Sequence, residues 1–302
     1  MHNNLFGYGT SELTQDAFIC YLLSFAMRDY ESKDPALAEC ARELLRKMLG
    51  EAAPQDIVVT DIMRQHEHID VLVVVNEDTY IVIEDKTFSG THGDQINRYC
   101  ESVREEFKSE RVFGVYFKIV EQAYREDGVV NITRADLLEL FAKHESENAV
   151  YNSYIEYLKY IDDDVNSWRA LPINEWREKT NHAYKGFFTH LVQDNIIDID
   201  KSNDYGWHYV SNPSGGFWCL WWYSLPETLK ARYPNAFQYF ANLYLQIEDN
   251  RIAVKLSLTN KGSGADEAET VRRDLFEYFE TIEGFTKLRF RRGAHLTVGY
   301  IE

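Results

Sequence analysis

Three apolar segments in thirty-one residues constrain this chain most. DIVVTDIMRQ (56–65), HIDVLVVVN (68–76) and TYIVIEDK (79–86) are rich in β-branched residues and nearly continuous in apolar character. Strands that alternate apolar and polar residues cover one face. Strands apolar throughout must be covered on both. The last two runs are separated by a turn at 76–79 and read as a β-hairpin.

The flanking segments supply the covering layers. ELTQDAFICYLLSFAMRDY places Leu13, Ala17, Tyr21, Leu22 and Phe25 near helical spacing, with Thr10 or Ser11 as cap and Glu12 in the first turn. A second helix is expected over 35–49, a third over 94–107, a further buried strand over 111–120 and a helical stretch over 134–168. Helix, helix, three strands, helix, strand describes an α/β sandwich on a central mixed sheet. After Leu171-Pro172-Ile173 another helix runs to Gln193, and the pattern then changes to two antiparallel hairpins, a helix and two final strands. The expected division is 1–175 for the α/β domain and 176–302 for a C-terminal α+β domain.

Charge narrows the function classes. Lys and Arg number 32 and Asp and Glu 49, a formal net charge of −17. Residues 1–180 carry −15 of it and residues 181–302 only −2. A surface so acidic does not bind nucleic acid or anionic membrane indiscriminately. A nucleic-acid ligand would need a local basic patch, and Lys287, Arg289, Arg291 and Arg292 form the best one. On a strand, 287, 289 and 291 would line one face, either as a phosphate-contacting stripe or as a solvated, charge-guarded edge. No stretch approaches the about 20 apolar residues of a membrane span. The N-terminus lacks the pattern of a signal peptide. Cys20, Cys40, Cys100 and Cys219 are scattered without metal spacing, which fits a reduced, cytoplasmic compartment.

The chemistry-bearing residues gather at the hairpin. Asp70 begins the second strand, and Glu84-Asp85-Lys86 ends the third. An antiparallel hairpin makes these neighbours, and Glu84 and Lys86 share a face because strand side chains alternate. Asp70 joins that face only if the turn has an odd number of residues. Pairing of Asn76 with Tyr80 sets Asp70 opposite Lys86, whereas pairing with Thr79 sets it opposite Asp85. Two carboxylates sharing a site repel, and a divalent cation resolves that. Oxygen ligands suit Mg²⁺, with Mn²⁺ as a substitute. His66-Glu67-His68 lacks a third zinc ligand at a known spacing, His92 is an ordinary loop histidine, and neither a phosphate-binding glycine loop nor a serine-hydrolase elbow occurs. The aromatic run FWCLWWYS could stack bases but reads first as core.

This arrangement resembles the PD-(D/E)xK nuclease superfamily, whose restriction-endonuclease-like αβββαβ core carries an aspartate on one strand and (D/E)-x-K on the next. The match is Ile69-Asp70 followed by Glu84-Asp85-Lys86, with Ile69 standing where the pattern has proline. Glu12 occupies the place of a glutamate that members carry on the preceding helix, and Gln95 and Tyr99 fit a Q-x-x-x-Y signature on the following one. The resemblance covers about residues 10–120. It implies a Mg²⁺-dependent phosphodiester hydrolase acting on DNA. In it Asp70, Glu84 and the Asp85 carbonyl hold the metal, Glu12 is an outer ligand, Lys86 acts on the attacking water, and Gln95 and Tyr99 position the strand or the site. The alternative is a non-catalytic nucleic-acid- or protein-binding module that keeps the fold.

Overall fold

The computed structural model describes residues 3–87, 94–123, 125–172, 175–176, 180–197, 205–211, 213, 215–222, 231–232, 241–248, 251–258, 265–281, 283–289 and 295–301. The chain forms two compact units, 1–121 with 125–163, and 122–124 with 164–302.

Unit 1 opens with helices α1 (Leu5–Tyr8), α2 (Glu12–Ser24) and α3 (Pro35–Leu49). Strands β1 (Val59–His66), β2 (Ile69–Val75) and β3 (Thr79–Lys86) follow, then α4 (Gln95–Phe107), β4 (Val112–Lys118), β5 (Val130–Thr133), α5 (Arg134–Phe141) and α6 (Ala149–Asn166). The expected second helix has the expected ends because both are encoded locally. Asp34 accepts from the Leu37 N–H, Pro35 takes the first turn, and Gly50 follows at φ 56°. The first helix stops at Ser24, short of the expected Tyr30, as Phe25, Ala26 and Met27 bond back three residues in tight turns.

The sheet is five-stranded and mixed, in the order β1-β2-β3-β4-β5. Its first three strands pair antiparallel, and β3-β4 and β4-β5 pair parallel. Strand β5 is an addition to the expected layout. At four residues it is too short to show periodicity. Leu72, Val82, Val112 and Tyr116 face one way, against Ile96, Cys100 and Val103 of α4. The alternate residues Val73, Ile83 and Val115 are fully buried on the other face, where α2 and α3 lie against the strands.

The β2-β3 register pairs Val75 with Thr79 and Val71 with Ile83. Neither register weighed above occurs. The turn is the three residues Asn76, Glu77 and Asp78, and Asn76 and Glu77 adopt φ 49° and 69°. The Asn76 side chain fixes the turn by accepting from the Val58 N–H at 2.9 Å and donating to the Asp56 carbonyl at 2.8 Å. The turn is odd, so Asp70 joins the face of Glu84. Continued one residue beyond Val71–Ile83, the pairing sets the two acids directly opposite.

Unit 2 contains α7 (Asn181–Gln193), β6 (Tyr205–Val210), β7 (Phe217–Trp222), β8 (Ala241–Glu248), β9 (Arg251–Leu258), α8 (Ala265–Glu280), β10 (Phe285–Lys287) and β11 (His295–Ile301). Its six strands form an antiparallel sheet in the order β10-β11-β9-β8-β7-β6. Trp218, Leu220 and Trp222 enter one core with Phe188 of α7 and Phe276 of α8, so these aromatics are packing residues. Gly186 lets α7 approach Val165 of the same unit closely, for a Cβ there would stand 2.2 Å from the Val165 carbonyl oxygen. Gly186→Ala is expected to destabilise the protein by about 1–3 kcal/mol, as overpacking does, seen as a lower urea midpoint.

The expected basic strand face lies partly outside the described residues. Strand β10 ends at Lys287, so Arg289 lies beyond it, and Arg291 and Arg292 lie outside the described residues. The Lys287 ammonium pairs with Glu280 at 2.5 Å and sits 4.6 Å from the Phe276 ring centroid.

Candidate active site

The hairpin brings the motif residues to one end of the five-stranded sheet. Lys86 Nζ lies 2.5 Å from Glu84 Oε1, 3.5 Å from Asp70 Oδ2 and 3.1 Å from the Asp85 carbonyl oxygen. Asp70 Oδ2 also accepts the Asp85 N–H at 2.9 Å, which ties the start of β2 to the end of β3. Glu12, in the first turn of α2, accepts the Thr87 N–H at 3.2 Å. It stands close enough for its charge to act on both Glu84 and Lys86. Gln95 donates to the Tyr99 hydroxyl at 3.0 Å, one helical turn apart on α4.

Glu84 is 1% exposed. Burial, then the charges of Asp70 and Glu12, push its carboxyl up to about 7 against the hydrogen bond from Lys86. Burial works to lower Lys86, but the Glu84 hydrogen bond and the Glu84, Asp70 and Glu12 charges outweigh it and leave the ammonium above its ordinary value. The folded state therefore keeps a proton on Glu84 that the unfolded chain, near 4.5, has already lost. Between about 4.5 and about 7 the folded protein binds more protons, so cation-free stability is expected to fall as pH rises through that window. Urea midpoints at pH 5 and pH 8 check this, and Glu84→Gln should flatten the slope.

A second pair of acids meets at the other face of β3: Asp85, expected to serve through its carbonyl alone, and Asp16 of α2, which the sequence did not single out. Asp85 and Asp16 are both fully buried. Gln15 of α2 donates to Asp85 Oδ1 and accepts from the Tyr154 hydroxyl. Burial and the Asp16 charge hold Asp85 well above the usual carboxylate range. Burial and the Asp70 charge push Asp16 to about 6. The pair thus retains a proton that two separate carboxylates would have lost. Gln65, in a left-handed conformation at φ 56°, reaches Asp16 Oδ2 at 3.3 Å and Asp70 Oδ1 at 3.4 Å. The spacing Glu12, Gln15, Asp16 was the available signal, three polar residues on one helix face. They displace the expected apolar positions, as Leu13 and Ala17 are exposed while Gln15, Asp16, Phe18 and Ile19 are buried.

The residues around Lys86 fit a hard divalent cation. Two carboxylates and one backbone carbonyl converge on a single cationic point, an oxygen set that suits Mg²⁺. Glu84 Oε2 is buried and accepts no hydrogen bond, leaving a ligating oxygen to spare. Among the described residues no three His, Cys, Asp or Glu side chains gather as a metal cluster.

No curated protein and no solved structure matches this chain. The sequence does match the family profile of the PD-(D/E)XK nuclease superfamily over residues 9–189, a span that includes the five-stranded sheet and every residue of the site just described. That span is more than half of the chain, and the mixed sheet, its element order and the acids at the start of β2 and the end of β3 agree with it; the chain belongs to the PD-(D/E)XK nuclease superfamily.

Proposed function

We propose that the protein is a Mg²⁺-dependent nuclease that hydrolyses phosphodiester bonds in DNA. The observation that carries the reading is the convergence of Asp70, Glu84, the Asp85 carbonyl and Lys86 at one sheet end. Asp70, Glu84 and the Asp85 carbonyl would hold the cation, with Glu12 as an outer ligand. When bound, the cation supplies charge stabilisation at the phosphate and a more acidic water.

Lys86 works as an ammonium. Its neighbours keep the proton on, so it has no lone pair with which to act as a base. It orients the attacking water and offsets the negative charge that grows on the phosphate. The water gives up a proton to solvent as its oxygen bonds to phosphorus, the ester P–O bond breaks, and the leaving oxygen takes up a proton from solvent. Gln95 and Tyr99, joined on α4, position the strand or the site. The segment holding Lys287, Arg289, Arg291 and Arg292 adds phosphate contacts in this reading. Reversing Arg289 and Arg291 to Glu should lower the salt dependence of binding by about one unit of slope per lost contact. The free cysteines accord with action in the cytoplasm, and no described helix is long and apolar enough to cross a membrane.

A panel of single- and double-stranded DNA and RNA incubated in Mg²⁺ tests the substrate. Cleavage of DNA is the expected result, and cleavage confined to RNA would overturn the assignment to DNA.

A further inference from the structure

A second buried ammonium lies beside the site and outside the motif. Lys118 ends β4, and the parallel register pairs it with Lys86. It is 8% exposed, so its charge requires acceptors close at hand. Lys118 Nζ donates to the Thr87 carbonyl at 3.0 Å. The N–H of the same Thr87 donates to Glu12 Oε1 at 3.2 Å. Thr87 is the first residue beyond β3, directly after Lys86. Its own hydroxyl is buried without a partner, so the side chain forms no hydrogen bond that would hold it. Its backbone is held instead, at the carbonyl by Lys118 and at the N–H by Glu12.

Glu12 comes from α2 and Lys118 from β4, and both reach Thr87 at the end of β3. The Thr87 N–H belongs to the peptide before Thr87 and its carbonyl to the peptide after it, so Glu12 holds one side of this residue and Lys118 the other, and the two grips together restrain the backbone between them. We propose that Lys118 is a positioning residue that, through the Thr87 backbone, holds the Glu12 carboxylate toward Glu84 and Lys86. The inference rests on the reading of Glu12 as an outer ligand. Lys118 acts through other groups, as residues behind a metal ligand do, and loss of such a residue commonly weakens metal affinity 10–100-fold.

The test uses the full chain, with Mn²⁺ titrated calorimetrically and hydrogen exchange followed at the Thr87 amide. Lys118→Met should weaken Mn²⁺ on the order of ten-fold and speed exchange at Thr87, while Lys118→Arg restores both. In a Glu12→Gln background, Lys118→Met should add less than about two-fold, because the two act as one unit. Unchanged Mn²⁺ affinity in Lys118→Met, or effects that multiply in the double variant, would overturn the proposal. If the wild type binds no Mn²⁺, the metal-site reading fails and the exchange arm decides alone. Faster Thr87 exchange in both Lys118→Met and Glu12→Gln then upholds the clamp on Glu12, and retained protection in either one overturns it. Should the methionine variant not fold, Lys118→Gln, a donor of shorter reach, takes its place with the same expectations.

Discussion

Lys86→Ala is expected to slow phosphodiester cleavage by a factor on the order of 10²–10⁴, the usual yield of one positioned catalytic group. The ammonium touches Glu84, Asp70 and the Asp85 carbonyl, which in the proposed reading sets it beside the phosphate. Its contribution grows as charge develops on the phosphate and is therefore made mainly in the transition state. Affinity for nucleic acid, measured in Ca²⁺, should change little, since one cation among several phosphate contacts is lost. A variant that binds weakly but cleaves at the wild-type rate when saturated would assign Lys86 to binding instead.

Glu84→Gln is expected to abolish the rise in melting temperature that millimolar Mg²⁺ or Mn²⁺ produces in the wild type. A ligand that binds only the folded state stabilises it by about 2.7 kcal/mol at a hundred times its dissociation constant. Glu84 is an acid that a cation would relieve. Burial and two neighbouring carboxylates have raised it to about 7, and one of its oxygens accepts nothing. The amide keeps shape and volume but removes the charge that draws the ion. An undiminished rise in Glu84→Gln would place the cation elsewhere, and differential scanning fluorimetry decides between the two.

The parts of the fold that were legible in the sequence are those encoded by local chemistry. The strands at 59–86 announce themselves by apolar runs, and α3 by Asp34, Pro35 and Gly50 at its ends. The alignment of Asp70 with Glu84 was not legible. It depends on Asn76 and Glu77 both taking left-handed backbone, and on Asn76 bonding across to the strand entrance. No propensity forecasts that pair. The motif residues were legible because three of them lie within a short hairpin. Gln15, Asp16, Gln65 and Lys118 were not, because a polar residue on a helix or strand end reads as solvated until the tertiary fold buries it. Lys118 sits among apolar residues of β4 and meets Thr87 only through the parallel pairing of two strands separated by α4. Of the stripe expected at 287–291, Lys287 ends β10, Arg289 follows it and Arg291 lies outside the described residues.

In the proposed reading Asp70 at the start of β2 and Glu84 at the end of β3 hold a cation that supports phosphodiester hydrolysis. Strand cleavage by wild type and Glu84→Gln, purified in parallel and assayed in Mg²⁺ and in EDTA, tests it most directly. The wild type should cleave in Mg²⁺ and stop in EDTA, and Glu84→Gln should cleave in neither. Equal cleavage by both proteins, or binding by the wild type with no cleavage of any nucleic acid in Mg²⁺, would contradict the account. The latter result would leave a nucleic-acid-binding module built on a nuclease fold.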